Sequence, residues 1–476
     1  GCGSVTSNTS AVTIVADPSI VTQPVSTITE CIGGTTVLSL AAAGGTPSLT
    51  YQWYSNTNNS TTGGTPIAGA TGTSYTPLST TAGTLYYYCI VSAMGDGCGS
   101  ATSSISTVNI ISDPSITVNP VSPSPVCVGA TLSALTVTAT GGTPLLAYQW
   151  YSNTVNSVIG GAPISGATSN SYMPLASSAG TLYYYCMVSA SGDGCSTATS
   201  TTAAVVVVAD PAIAANPVSP AAVCVGGTFA TLSVTATGGT PILLYQWYYN
   251  TTNSTSGGTA IQGATSSSYL PPSTSAGTLY YYCIVSAAGD GCGTAISSTA
   301  TVTVNSIPTA TISGTTQVCK GETSPEITFT GASGIPPYTF TYTMNGSTRT
   351  IATSAGSSVA TLLVPTSTAT TYTYVLISVK DGSSSACSQS QSGTAVVTVN
   401  PLPTATISGT TAVCQEASSP LITFTGANGT PPYTFAYTIN SVSQSPVTTV
   451  SGNSVTVTVP TTNSGTFTYS LVSVTD

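Results

Sequence analysis

The sequence has no histidine and almost no charge. Of its 476 residues, 3 are Lys or Arg and 12 are Asp or Glu, so charged residues make up 3% of the chain. An ordinary soluble domain carries about 25%. Without histidine there is no Ser-His-Asp triad, no Cys-His pair and no His-ligated zinc. Three scattered cations, Lys320, Arg349 and Lys380, exclude a basic stripe for nucleic acid. No run of about 18 apolar residues exists that could span a membrane as a helix. With strong helix formers scarce, no glycine-rich loop opens a helix to cradle a phosphate. No initiator Met or leader is present, and Gly1–Ser7 reads as the middle of something.

The few carboxylates carry no evident chemistry. Glu322 and Glu326, the closest pair, read as solvated charges at a turn and strand entry, not as the flanking pair of a glycosidase. Asp17, Asp113 and Asp210 could meet Asp96, Asp193 and Asp290 at one pole of a domain, but calcium takes six to eight oxygens. Asp-Pro and Asp-Gly turn chemistry accounts for all six. No catalytic, cofactor or metal residue is assigned, and no cofactor is expected.

What is abundant is β-forming. Hydrophobic residues reach 41%, and Val, Thr, Tyr and Ile favour strands. Cysteines recur in one context: Cys31 in ECIGG, Cys127 in VCVGA, Cys224 in VCVGG, Cys319 in VCKGE and Cys414 in VCQEA, at steps of 96, 97, 95 and 95 residues. A fixed period of this length marks a tandem array of independent sandwiches. The expected domains are 17–112, 113–209, 210–305, 306–400 and 401–476, each opening near Asp-Pro, Ile-Pro or Leu-Pro. Residues 1–16 match the strand after Cys98 and are expected to be the last strand of an upstream repeat. The fifth repeat stops six residues before the position of Cys387, so the chain reads as a window on a longer array.

Repeats 1 to 3 share Tyr-Gln-Trp-Tyr (51–54, 148–151, 245–248), a Tyr-Tyr-Tyr-Cys strand and Gly-Asp-Gly-Cys (95–98, 192–195, 289–292). Repeats 4 and 5 share ATISGTT and PPYTF and lack the Trp. The first type resembles bacterial immunoglobulin-like repeats. The carrying residues are Trp53, Trp150 and Trp247, the cysteines 36 residues later (Cys89, Cys186, Cys283), and Tyr87, Tyr184 and Tyr281 where a tyrosine corner falls. The second type resembles PKD-like repeats. Together they resemble the giant secreted surface proteins of gliding-type Bacteroidetes. The resemblance implies an all-β fold, a tandem array of immunoglobulin-like β-sandwiches, at an extracellular cell surface.

An immunoglobulin analogy would pair Cys31 with Cys89. Repeat 4 argues otherwise, because it keeps Cys319 and Cys387 but has Val375 at the Cys89 position. The separations of 67 or 68 residues then predict Cys31–Cys98, Cys127–Cys195, Cys224–Cys292 and Cys319–Cys387. Cys89, Cys186 and Cys283 are expected as buried thiols outside the disulfides, and Cys2 and Cys414 as cysteines parted from their partners. If Tyr87 and Cys89 face the core, the strand period of two turns Tyr86 and Tyr88 outward beside Tyr54. An exposed aromatic patch is then expected at Tyr54, Tyr86, Tyr88, Tyr151, Tyr183, Tyr185, Tyr248, Tyr280 and Tyr282; the alternative makes Tyr86 and Tyr88 the core face. The function expected is a non-enzymatic structural or adhesive stalk or filament, its partners being copies of itself, other surface components or glycans. The competing reading is a spacer or carbohydrate-binding region of a secreted polysaccharide-degrading enzyme.

Overall fold

The computed structural model describes residues 3–476, and every regular element in it is a β-strand. Two compact units are present. One runs to Ala215 and takes in Thr235–Gln246 and Ile284–Ile296; the other comprises Asn216–Val234, Trp247–Cys283 and Ser297–Asp476. The division passes through the third repeat.

The first repeat sets the pattern. Its strands are β1 (Ser19–Thr22), β2 (Thr27–Cys31), β3 (Leu38–Ser39), β4 (Ala41–Ala43), β5 (Leu49–Asn56), β6 (Thr65–Pro66), β7 (Ser74–Tyr75), β8 (Gly83–Ala93), β9 (Ser100–Thr102) and β10 (Ser106–Ile111). The larger sheet has the order β2-β10-β8-β5-β6, with β9 also on β8; the pairs β1-β4 and β3-β7 form the facing layer. β2 runs parallel to β10, and the other pairings are antiparallel. β10 alternates buried and half-buried residues along its length, as a strand with one face on a core must.

The core holds Ile28, Leu38, Trp53, Tyr87, Cys89, Val91, Val108 and Ile110. Trp53 is fully buried, and its indole N–H donates to the Gly72 carbonyl at 3.1 Å; a buried indole needs such an acceptor. Cys89 lies opposite Trp53 in the β5–β8 register. Between β9 and β10 the ladder breaks at Ser103, whose hydroxyl accepts the Cys89 N–H at 2.9 Å. That bond satisfies a donor the broken ladder would leave buried. Trp150, Cys186 and Ser200 repeat the arrangement in the second repeat.

The fourth repeat builds the same sandwich with a different core. Thr316–Cys319, Thr394–Asn400, Thr371–Lys380, Thr339–Met344 and Ser347–Ala352 form one sheet, and Thr309–Ser313, Glu326–Ala332 and Val359–Leu363 the other. Phe329 and Phe340, with ring centroids 5.6 Å apart, fill the centre that Trp53 fills in the first repeat. The fifth repeat has the equivalent three-stranded sheet, Thr404–Ser408, Leu421–Ala427 and Ser454–Thr458. Its second sheet is Thr434–Ile439 with Val442–Ser443, Val447–Thr448 and Tyr469–Thr475.

Candidate functional site at the joints between repeats

The cysteines mark the site, and they pair across repeats. Cys31 is bonded to Cys195, Cys127 to Cys292 and Cys224 to Cys387, with Cα–Cα distances of 4.8, 4.8 and 5.6 Å. The expected pairs Cys31–Cys98, Cys127–Cys195, Cys224–Cys292 and Cys319–Cys387 are therefore corrected. β2 places Cys31 beside Ile111, at the same end of the sheet as Gly83, where β8 begins. Cys98 follows the other end of β8, ten residue steps on, a distance of about 33 Å at the usual strand rise. A disulfide needs Cα atoms within about 7 Å. In repeats 1 to 3 the Cys-x-Gly turn thus lies at the trailing pole of its own repeat and meets the leading loop of the next. Cys98, Cys319 and Cys414 are outside any disulfide, and Cys2 lies outside the described residues.

At the joint between repeats 1 and 2, the turn after β2 docks on Gly192–Cys195. The Cys31 N–H donates to the Asp193 carbonyl at 2.8 Å. The Asp193 carboxylate then accepts the Thr35 N–H and, at 3.2 Å, the Thr35 hydroxyl. These donors, the Thr35 N–H first, hold the Asp193 carboxyl below its ordinary value. Gly194 has φ of +75°, and a Cβ there would stand 2.2 Å from the Gly34 nitrogen, so only glycine fits this approach. Beneath the turn, Glu30 is buried and one of its oxygens accepts the Thr36 N–H at 3.2 Å. The next joint repeats the backbone seat: the Cys127 N–H donates to the Asp290 carbonyl at 2.9 Å.

The leading loops are held from below by the domain-opening aspartates. Asp17 accepts the Gly99 N–H at 2.9 Å, Asp113 the Ser196 hydroxyl at 2.7 Å, and Asp210 the Gly293 N–H at 3.2 Å. Sequence reasoning weighed these residues as calcium ligands or turn formers; in the structure they hold the loops that carry Cys98, Cys195 and Cys292.

The tyrosine patch is corrected. Tyr87 joins the core with Cys89, so Tyr88 does point to the opposite face. It is nevertheless buried, as are Tyr185 and Tyr282. Each stacks on its strand neighbour, Tyr54, Tyr151 or Tyr248, with centroids 5.1, 5.1 and 5.3 Å apart. The loop after β5 closes over the pair: Gly64 lies so near that a Cβ would stand 2.8 Å from the Tyr88 hydroxyl, and Gly161 and Gly258 do the same. Tyr86, Tyr183 and Tyr280 are half-buried.

The buried thiols stand apart from the joints. Cys89 and Cys186 are buried outside any disulfide, and Cys283 is buried at the equivalent position. Burial pushes the Cys89 and Cys186 thiols up to about 11, so they stay protonated and inert at neutral pH. Burial, with Tyr75 and Glu30 beside it, pushes the Tyr87 phenol up to about 12. Among the described residues no three His, Cys, Asp or Glu side chains converge as metal ligands, and no helix is long and apolar enough to cross a membrane.

Against known families, residues 23–112, 120–209 and 214–306 match one described as a domain of unknown function (DUF8696). No curated protein matches. Among solved structures, the I-band fragment I67-I69 of titin aligns at 14% identity and a TM-score of 0.36, covering 61% of this chain and 99% of that one. Sidekick-1 immunoglobulin domains 1–5 align at 15% identity and a TM-score of 0.27, covering 96% of each chain. Extracellular domains 3–5 of Drosophila OTK align at 18% identity and a TM-score of 0.25, covering 61% of this chain and 97% of that one.

Proposed function

We propose a mechanical role for this chain, which belongs to the DUF8696 family: it is a non-enzymatic structural or adhesive stalk whose successive sandwiches are locked together covalently. The observation that carries the reading is the set of disulfides that each join the trailing turn of one repeat to the leading loop of the next. A disulfide inside a domain would stabilise that domain alone. One across a joint removes a hinge, and its closed loop of 164 residues is worth about 5 kcal/mol in the chain-entropy model.

Structural disulfides persist in oxidising compartments, which favours an extracellular location. The resemblance to repeats of secreted bacterial surface proteins supports a place at the cell surface. Low charge leaves little self-repulsion along the array. With Tyr88, Tyr185 and Tyr282 covered, adhesion falls to hydroxyl and backbone groups rather than to open aromatic faces, which disfavours glycan capture by stacking. Immunogold labelling of intact cells with antibodies to repeats 1–3 tests the proposal. Label on fibres outside the cell is expected. Antigen confined to the cell interior, or shed with a catalytic module, would overturn it.

A further inference from the structure

The three disulfides overlap along the chain. Cys31–Cys195 closes over Cys127, Cys127–Cys292 closes over Cys195 and Cys224, and Cys224–Cys387 closes over Cys292. Each loop therefore begins before the previous one has ended. Every peptide bond from Cys31 to Cys387 lies inside at least one loop, and those in 127–195 and 224–292 lie inside two. Ties within repeats would lack this property. Cys31–Cys98 and Cys127–Cys195 would leave 98–127 outside any loop, and that stretch holds the strands Ser100–Thr102, Ser106–Ile111 and Ser115–Val118. One cut there would part the array.

The distribution of charge decides where one class of protease can cut. An enzyme that cleaves after Lys or Arg finds three sites in the whole chain, Lys320, Arg349 and Lys380. All three are exposed, and all three lie inside the loop closed by Cys224–Cys387. Lys320 stands in the turn that follows the strand Thr316–Cys319, and Arg349 on Ser347–Ala352, the edge strand of its sheet. Exposed turns are preferred sites of proteolytic nicking.

We infer that the overlapping disulfides form a second covalent path along the stalk, so that the array stays joined and able to bear load after its main chain is cut. Hydrolysis adds one water across a peptide bond, leaves a carboxylate and an amine, and consumes no disulfide. After one cut between Cys31 and Cys387, the two pieces are held by the disulfide that spans it. After any two such cuts, the ends of the chain are still connected. With cuts in 31–127 and 195–224, for example, Cys31–Cys195 holds the first piece to the middle one, and Cys127–Cys292 holds the middle one to the last. The use of this path rests on the stalk reading; the path itself does not.

The experiment uses the whole oxidised chain. Its remaining thiols are first alkylated in urea, so that no thiolate can exchange with a disulfide. Trypsin in urea then cuts after Lys320, Arg349 and Lys380. A non-reducing gel should show one large species, 1–320 joined to 381–476, which reductant separates into the two. In Cys224→Ser they should separate without reductant. Ser104→Arg adds a site at an exposed position between Ser100–Thr102 and Ser106–Ile111, inside the first loop alone. Its 1–104 piece should stay attached until reduced. In a third arm, a chain is held by its ends at a force that unfolds the repeats. The oxidised chain should keep its tether through trypsin treatment, and Cys224→Ser should lose it. Release of 381–476 from the oxidised parent, or of 1–104 from oxidised Ser104→Arg, overturns the proposal, as does a tether that parts at the same rate in both chains. None of these results bears on the immunogold test of the stalk reading, which locates the protein whether or not it is cut.

Discussion

The joint between repeats 1 and 2 and the joint between repeats 3 and 4 use the same disulfide and different polar contacts. In the first, Asp193 stands two residues before the bonded cysteine and takes hydrogen bonds from Thr35. In the second, Ser385 stands at that position and its hydroxyl accepts the Asn305 side-chain N–H at 2.7 Å. Asp381 is drawn into its own loop instead, where it accepts the Ser383 hydroxyl at 2.7 Å. The residue before the cysteine also differs: Gly194 in the first joint and Ala386, with φ of 51°, in the second. The cores differ as well, Trp against Cys in one type of sandwich and paired Phe in the other. The covalent tie is common to both joints while the groups around it change.

Breaking the ties should produce the largest effect. Under tension, the oxidised chain carries load through Cys31–Cys195 and Cys224–Cys387, so loops of 164 and 163 residue steps are shielded. Reduction should release them, adding about 1,100 Å of contour at roughly 3.4 Å per residue. Single-molecule extension with and without reductant measures this directly. Equal contour lengths in the two conditions would rule out ties across the joints. Cys224→Ser should add only about 460 Å at roughly 3.4 Å per residue, because Cys127–Cys292 then takes the load.

Much of this architecture can be read in the residues, and the joints show why some of it cannot. The repeat length, the all-β composition and the Trp53–Cys89 core pair follow from spacing and alternation, because these are local properties of each repeat. Cysteine pairing is not local. In a periodic array a constant separation of 67 or 68 residues within repeats entails a constant separation of 163 to 165 across them. Spacing therefore cannot distinguish the two, and what decides is that β8 puts Cys31 and Cys98 at opposite poles. Tyr88 was misread for a related reason. The strand period gives its face correctly, but its burial comes from the loop bearing Gly64, whose path no periodicity encodes.

Exchanging the residues before the cysteines should sharpen the contrast between the joints. Gly194→Ala places a Cβ against the Gly34 backbone, where no flexible side chain can move aside. A loss of about 1–3 kcal/mol at that joint is expected, as for other strained backbone positions. After oxidative refolding, peptide mapping should find less of the Cys31–Cys195 bond. Ala386→Gly relieves a left-handed alanine, so the Cys224–Cys387 yield should be unchanged or higher. Equal sensitivity at both joints would mean that the close approach at Gly34 does not constrain the first.

The smallest effect should be electrostatic and confined to the first joint. The Asp193 carboxyl is held below its ordinary value of 3.8, chiefly by the Thr35 N–H. A carboxyl with a depressed folded-state value contributes stability that is fully present above the unfolded value and is lost as pH falls through the folded one. The contribution should therefore be constant from neutral pH down to about 5 and disappear below 3.8, as the carboxylate is protonated. Asp193 is fully solvent-exposed, so the disulfide should hold the repeats together throughout, and the change should be local. The Thr35 amide resonance reports it: its shift should titrate with a midpoint below 3.8. Asp193→Asn should abolish that titration while leaving the Cys31–Cys195 bond intact. A Thr35 amide that does not respond between pH 6 and 2 would mean that the carboxylate contact is not formed in solution. The second joint offers the control, because Ser385 has no proton to gain in this range and the Asn305 side-chain amide should not follow it.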